Sequence, residues 1–266
     1  MNGSHEIAVE IGGTPILVRT QDRGFHDLVA DRYAGFVGDI AQSRYALDVD
    51  LVTPFRDAAV DEDMQVEEQG GQWHLRRGDF RAEWDPHSGR GRVRQSPNPY
   101  AIDSVLRIVH TLILAREGGF LLHAASAIRN GKAFLFSGVS GAGKTTISRL
   151  APANATLLTD EISYIRRSSY EFRACGTPFA GELARPGENC TAPISTLFFL
   201  SQGPQNRIEP IAAQEAVRLL LRNILFFAKN QELVQLVFRT ACQFVERVPS
   251  RRLTFVPDER VWDLIR

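Results

Sequence analysis

Short apolar runs broken by turn residues fill the first hundred positions. Ile7-Ala-Val-Glu-Ile and Pro15-Ile-Leu-Val-Arg flank Gly12-Gly13, the pattern of two strands joined by a hairpin. Apolar runs and alternation predict further strands over residues 45–52, 64–68, 72–76, 80–84 and 90–95, punctuated by Gly70-Gly71, Gly78-Asp79 and Pro86-His-Ser-Gly89. One helix is expected across Phe25–Val37. The sum is a small, mostly antiparallel, β-rich module over residues 1–98. Ser96-Pro-Asn-Pro99 marks its end, because two prolines so close resist both helix and central strand.

Beyond that point the period changes. Ile102, Val105, Leu106, Val109, Leu112 and Ile113 recur at three and four residues, which predicts an amphipathic helix closed by Gly118-Gly119. His110 lies beside Val109 on that helix and reads as structural. Phe120-Leu-Leu and Ala133-Phe-Leu-Phe-Ser137 read as buried strands, as do Thr156–Thr159, Ile162–Ile165 and Ile194–Leu200. Two helices over 212–227 and 231–246, a strand over 252–256 and a short closing helix from Pro257-Asp258 complete the pattern. The expected class is α/β: a mixed-sheet domain over residues 99–266 behind the β-rich module.

The composition is that of an ordinary globular chain, with 44% hydrophobic and 23% charged residues among 266, which excludes a wholly disordered chain. Lys plus Arg and Asp plus Glu each number 31, so the net charge is zero and binding of nucleic acid by bulk charge is not expected. Cys175, Cys190 and Cys242 have neither disulfide nor zinc spacing and read as reduced thiols. The polar N-terminus lacks the apolar core of a signal peptide. Leu219–Ala228, interrupted by Arg222 and Asn223, is too short to span a bilayer. A cytoplasmic protein without a membrane partner is expected.

One stretch carries specific chemistry. Gly138-Val-Ser-Gly-Ala-Gly143-Lys144-Thr145 matches G-x-x-x-x-G-K-[ST] at every fixed position, a pattern that arises by chance in roughly one chain of this length in a hundred. It is a P-loop sequence, with a buried strand before it and a helical start, Thr145-Thr-Ile-Ser-Arg-Leu, after it. Its glycines let backbone N–H groups turn inward around phosphates, so Gly138, Ser140, Gly141, Ala142, Gly143, Lys144, Thr145 and Thr146 are expected to hold ATP. Lys144 would reach the β- and γ-phosphates and the Thr145 hydroxyl would contribute to a Mg²⁺ site. Downstream, an apolar strand ends in Asp160-Glu161. Carboxylates there suit a phosphate-binding enzyme, one to hold Mg²⁺ and one to accept a proton, although an acidic turn is the ordinary alternative. His123, in the small-residue run after Phe120-Leu-Leu, reads by itself as a hydrogen-bonded histidine near a sheet edge.

Taken together, His123, the loop Gly138–Thr145 and the strand ending Leu158-Thr-Asp160-Glu161 resemble the C-terminal catalytic domain of HPr kinase/phosphorylase. The resemblance is greater to its shorter relatives, the HPr-kinase-related proteins, which include kinases of lasso-peptide precursors and often carry Gly-Thr-Pro-aromatic-x-Gly after the acidic pair. Here that segment is Gly176-Thr-Pro-Phe-Ala-Gly181, followed by Glu182. The likeness runs from about Phe120 to the C-terminus. It implies that His123 and Lys144 take part in the chemistry, that Asp160 occupies the first acidic position, and that Glu161 stands where the family has its proton-accepting aspartate. Glu182 is the nearest match to a further metal-binding glutamate. The HPr-specific signature is missing, so HPr is not the expected acceptor.

The expected activity is therefore Mg²⁺-dependent transfer of the ATP γ-phosphoryl group to a hydroxyl, such as a serine of a peptide or protein. A small-molecule acceptor, plain ATP hydrolysis and a non-catalytic nucleotide-binding scaffold are the alternatives. The family also implies a possible homo-oligomer. The Gly-, Pro- and charge-rich segment over 179–193 is expected to be a mobile cover for the acceptor. Its Arg185 has two readings, a contact to transferring phosphate or a solvated side chain.

Overall fold

A computed structural model describes residues 3–53 and 64–266. Met1 and Asn2 of the polar N-terminus lie outside it, as do residues 54–63. The chain divides into two compact units. The first holds the described residues up to Ile113 together with Phe226–Val234, and the second holds Leu114–Leu225 and Gln235–Arg266.

The first unit is built on a seven-stranded sheet. β1 (His5–Ile11) and β2 (Thr14–Thr20) form the expected hairpin. α1 (Arg23–Arg32) follows, with the Asp22 carboxylate accepting the Phe25 N–H at 2.7 Å as its cap. The helix is shorter than the expected 25–37. The chain leaves it through a 3₁₀ turn at Ala34–Phe36, and Val37 is drawn into an extended bridge with Val9. β3 (Tyr45–Leu51), β4 (Gln65–Gln69), β5 (Gln72–Arg77), β6 (Phe80–Asp85) and β7 (Arg90–Gln95) complete the sheet in the order β1-β2-β3-β7-β6-β5-β4.

The sheet is mixed rather than mostly antiparallel, because β3 pairs in parallel with both β2 and β7. The α1 segment provides the crossover that a parallel β2–β3 pair requires. Alternation sends Trp73, Leu75, Phe80, Ala82, Trp84 and Val93 to a buried face and the charged residues between them to solvent. Asp103 is buried and accepts hydrogen bonds from the Arg32 guanidinium and the Tyr33 hydroxyl, which also hold the end of α1.

α2 (Pro99–Glu117) starts at the proline cluster. The Asn98 side chain accepts the Ala101 N–H at 2.9 Å, and Pro99 fits the first helical turn because its missing N–H would have no partner there. The helix is buried nearly all round, not only along the expected stripe. His110 and Thr111 are as buried as their apolar neighbours.

In the second unit, β8 (Phe120–Arg129) is far longer than Phe120-Leu-Leu. The small residues after His123 let it continue, and it pairs with four strands. These are β9 (Lys132–Ser137), β10 (Ala155–Thr159), β11 (Ile162–Ser168) and the two-residue β15 (Ile224–Leu225). α3 (Lys144–Arg149) lies between β9 and β10. β12 (Glu171–Cys175) and β13 (Thr191–Gln202) continue the sheet, and β16 (Ser250–Phe255) and β14 (Arg207–Pro210) close it. α4 (Ala213–Asn223) stops short of the expected residue 227, because Ile224 turns extended and joins β8. α5 covers Gln231–Arg247, and Glu259–Leu264 closes the chain as a 3₁₀ turn.

β9, β13 and β16 run parallel, and β9 and the latter half of β13 are buried on both faces. On one side Ala133, Leu135, Leu197 and Phe199 pack with Ala216 and Leu220 of α4 and Ala241 and Phe244 of α5. On the other, Phe134, Phe136, Phe198 and Leu253 pack with Ile147 of α3 and with Trp262. Helical cover on both faces explains why β9 and the latter half of β13 read as continuous apolar runs, whereas β16 keeps Arg251 exposed. Each buried aromatic or aliphatic side chain contributes about 1.5–3 kcal/mol. Among the described residues, no helix is long and apolar enough to cross a membrane.

Candidate functional site

At the end of β9 the chain curls through Gly138–Gly143 and enters α3 at Lys144. The Lys144 ammonium folds back across this curl and donates to the carbonyls of Gly138 at 3.0 Å and Val139 at 3.3 Å. The loop is braced from outside, since the Gln202 side-chain amide donates to the Gly141 carbonyl at 2.8 Å. Gly143 has φ +107°, and a Cβ there would stand 2.6 Å from the Phe255 ring, so both backbone and space require glycine.

The acidic pair forms the turn between β10 and β11. The Thr159 hydroxyl accepts the N–H groups of Glu161 and Ile162, each at 3.2 Å, which sets that turn. The Asp160 carboxylate accepts the N–H groups of Gly181 and Leu183, both at 2.9 Å. Glu182 lies between those two donors, so Asp160 fixes the backbone on either side of it.

These pieces surround one cavity of about 370 Å³. His123, Ser140, Gly141, Gly143, Lys144, Thr145, Thr146, Asp160, Glu161 and Glu182 all line it, ten expected residues from four separate places in the chain. Gly138 and Ala142 do not. Gly138 lends its carbonyl to Lys144, and Ala142 is buried under the loop. Gly181 lines the cavity too; it was legible as the end of the Gly176–Gly181 motif but not as a wall. Gln202 and Phe255 brace the loop from distant strands, and no local pattern marks them.

Arg185 is not at this cavity. It lines a neighbouring one of about 620 Å³ with Arg149 and Glu188. The segment expected to be a mobile cover is held down along much of its length. Thr177 and Glu188 donate N–H groups to Leu158 and Leu157 of β10, each at 3.0 Å, and Gly187 donates to Thr177 at 3.0 Å.

Burial lowers the Lys144 pKa from its ordinary value, against the pull of the Glu161 and Glu182 charges, which raise it. Burial also lowers the His123 pKa, and the positive charge of Lys144 adds to the effect. His123 is therefore a neutral imidazole at neutral pH, beside an ammonium that faces two carboxylates. The donors available to a metal are oxygens, the Thr145 hydroxyl and the carboxylates of Asp160 and Glu182, a set that suits Mg²⁺. Among the described residues no group of three or more His, Cys, Asp or Glu forms a ready-made cage. Mg²⁺ usually takes one or two carboxylates and completes its shell with phosphate and water, so the donor set fits.

Residues 99–266, which include every residue lining this cavity, match the family described as SynChlorMet cassette protein ScmC. The chain belongs to this family. The seven-stranded sheet over residues 5–95 falls before the matched segment. No curated protein matches the chain. Among solved structures it is similar to the HPr(Ser) kinase/phosphatase from Coxiella burnetii, with 14% identity, a TM-score of 0.26, and coverage of 45% of this chain and 87% of that one. Overlap at that level assigns neither a fold nor a residue-by-residue correspondence to this chain.

Proposed function

We propose that this chain is a Mg²⁺-dependent kinase that transfers the γ-phosphoryl group of ATP to a hydroxyl, a serine of a peptide or protein being the acceptor its sequence resemblance favours. The observation that carries the reading is the convergence of the glycine loop, Lys144, Thr145, His123 and three carboxylates on one cavity. In the proposed complex, the loop amides and the Lys144 ammonium hold the phosphates. Lys144 then exchanges its two carbonyl partners for phosphate oxygens. Thr145, Asp160 and Glu182 would hold Mg²⁺, which supplies neutralisation of phosphate charge. Glu161 takes the proton of the acceptor hydroxyl, and neutral His123, which lines the same cavity, would assist as a proton acceptor. Catalysis of this kind rests on positioning and charge stabilisation.

One observation favours a second reading, a nucleotide-binding protein that does not turn ATP over. Both Asp160 oxygens already accept backbone N–H groups, which fits a structural role for this carboxylate.

Incubation with γ-labelled ATP and a peptide library separates the readings. Transfer of label to peptide is expected from the wild type. Lys144→Ala should reduce it by about two to three orders of magnitude, as loss of a charge-stabilising group does. Glu161→Gln should cripple transfer while a calorimetric titration shows ATP affinity nearly intact. Label released only as free phosphate, or no label released at all, would refute the kinase assignment.

A further inference from the structure

The cavity that Arg185 lines is built on the same three elements as the candidate site beside it. On α3, Thr145 and Thr146 line the first cavity, and Ser148 and Arg149 line the second. On β10 and its turn, Asp160 and Glu161 line the first, and Thr156 and Leu157 the second. In the loop after β12, Gly181 and Glu182 line the first, and Arg185 and Glu188 the second. On each element the two linings come within three residues of each other. Along a strand that is about 10 Å, the reach of about three residues of extended peptide.

The second cavity holds two unengaged cations. Arg149 and Arg185 are exposed, and among the described residues neither has a hydrogen bond, an ion pair or a ring contact. Arg149 has an ordinary use, since a cation suits the C-terminal end of a helix. Arg185 has none. It follows Ala184, whose φ of +53° is uncommon for a residue with a Cβ and whose N–H donates to the Gly181 carbonyl at 3.0 Å. The turn that presents Arg185 is thus a fixed one. Glu188 supplies the one carboxylate of this lining and is paired with neither arginine. Burial, and after it the Glu188 charge, raises the Cys190 pKa, so this carboxylate lies toward Cys190.

The first cavity has the opposite balance, with Asp160, Glu161 and Glu182 against Lys144. An acidic side chain directly beside an acceptor hydroxyl would meet that cluster and be repelled. One placed a few residues further along the peptide would meet the two guanidinium groups, whose forked donors match a carboxylate. We propose that the second cavity is a subsite for the acceptor peptide, where Arg149 and Arg185 take a carboxylate side chain about three or four residues from the phosphorylated hydroxyl. The inference deepens the kinase reading and rests on it. Inorganic phosphate would take the same two cations, but it carries no spacing from a hydroxyl.

The test measures binding to the full-length protein without turnover. Labelled peptides carry one serine and two glutamates, set either about three and four residues from it, before or after, or directly beside it, and anisotropy follows their binding. In one chain direction the spaced peptide should bind about tenfold or more tightly than the adjacent one and than its Gln-for-Glu counterpart. Arg149→Gln and Arg185→Gln should each weaken it about tenfold, the effect of losing a hydrogen bond to a charged group, and leave ATP titrations unchanged. Three results would overturn the subsite: no preference for the spaced glutamates, undiminished binding by both arginine variants, or displacement by inorganic phosphate at the peptide's own concentration. Failure of the kinase reading looks different. In that case the spaced peptide keeps this binding pattern, yet γ-labelled ATP leaves no label on it. If only the subsite is wrong, label reaches the serine wherever the glutamates stand.

Discussion

His110 shows how far a buried environment can move one group. It is fully buried in α2, and loss of hydration pushes its pKa down to about 3. An unfolded chain titrates its histidine near pH 6.5, so between about pH 6.5 and pH 3 the unfolded state takes up a proton that the folded state refuses. Stability therefore falls as the pH drops through that window, by at most about 1.4 kcal/mol per pH unit from this residue. Denaturant titrations near about pH 7 and about pH 5 should show a smaller acid loss for His110→Leu than for the wild type. Equal losses would mean that His110 gains its proton without unfolding. His123 shifts in the same direction, from burial and from Lys144, so it adds to acid sensitivity with the same sign. Sequence made the type of each cavity residue legible, because Lys144 and Thr145 sit in a fixed spacing and Asp160-Glu161 end an apolar strand. It did not make their partners legible. The N–H groups that occupy Asp160 come from Gly181 and Leu183, and that pairing depends on how a distant loop folds back.

At the scale of elements, that loop behaves as a strap on the outer edge of β10. Its closest approach is at Gly187, where a Cβ would stand 1.7 Å from the Leu158 carbonyl oxygen. Gly187→Ala must therefore push the strap outward, breaking the Glu188–Leu157 and Gly187–Thr177 hydrogen bonds. The expected cost is about 1–3 kcal/mol, as for other overpacking changes. ATP affinity should fall with it, because the same strap positions Glu182 in the cavity. A variant that loses stability but binds ATP as tightly as the wild type would separate strap from site. The Gly- and Pro-rich composition of 179–193 suggested a mobile cover, yet it could not distinguish a free loop from one tied down by backbone bonds, and its last three residues already belong to β13. Similar limits apply elsewhere. The strands of the first unit were legible from alternation, but the parallel direction of β3 was not, since direction is set by what connects the strands. β14 and β12, short and partly charged, carry too little apolar periodicity to be read as strands.

Across the second unit as a whole, the last residues of the chain support the glycine loop from behind. Trp262 meets Phe136 edge-on at 5.4 Å between ring centroids, and its indole N–H donates to the Ile147 carbonyl of α3 at 3.1 Å. The Arg129 guanidinium in turn donates to the carbonyls of Trp262 and Ile265. α3 has only six residues, too few to be stable alone, so its position depends on this packing. Lys144 and Thr145 begin that helix, which couples their placement to a side chain more than a hundred residues away. Trp262→Ala should cost about 3–5 kcal/mol, as large buried aromatic truncations do. Trp262→Phe keeps most of the ring contact and removes the hydrogen bond, for about 1 kcal/mol. If α3 is held as described, ATP titrations well below the melting transition should rank wild type above Trp262→Phe and Trp262→Ala weakest. Equal affinities in all three folded proteins would show that the loop keeps its shape without the C-terminal turn, and that Gln202 and Phe255 suffice to hold it.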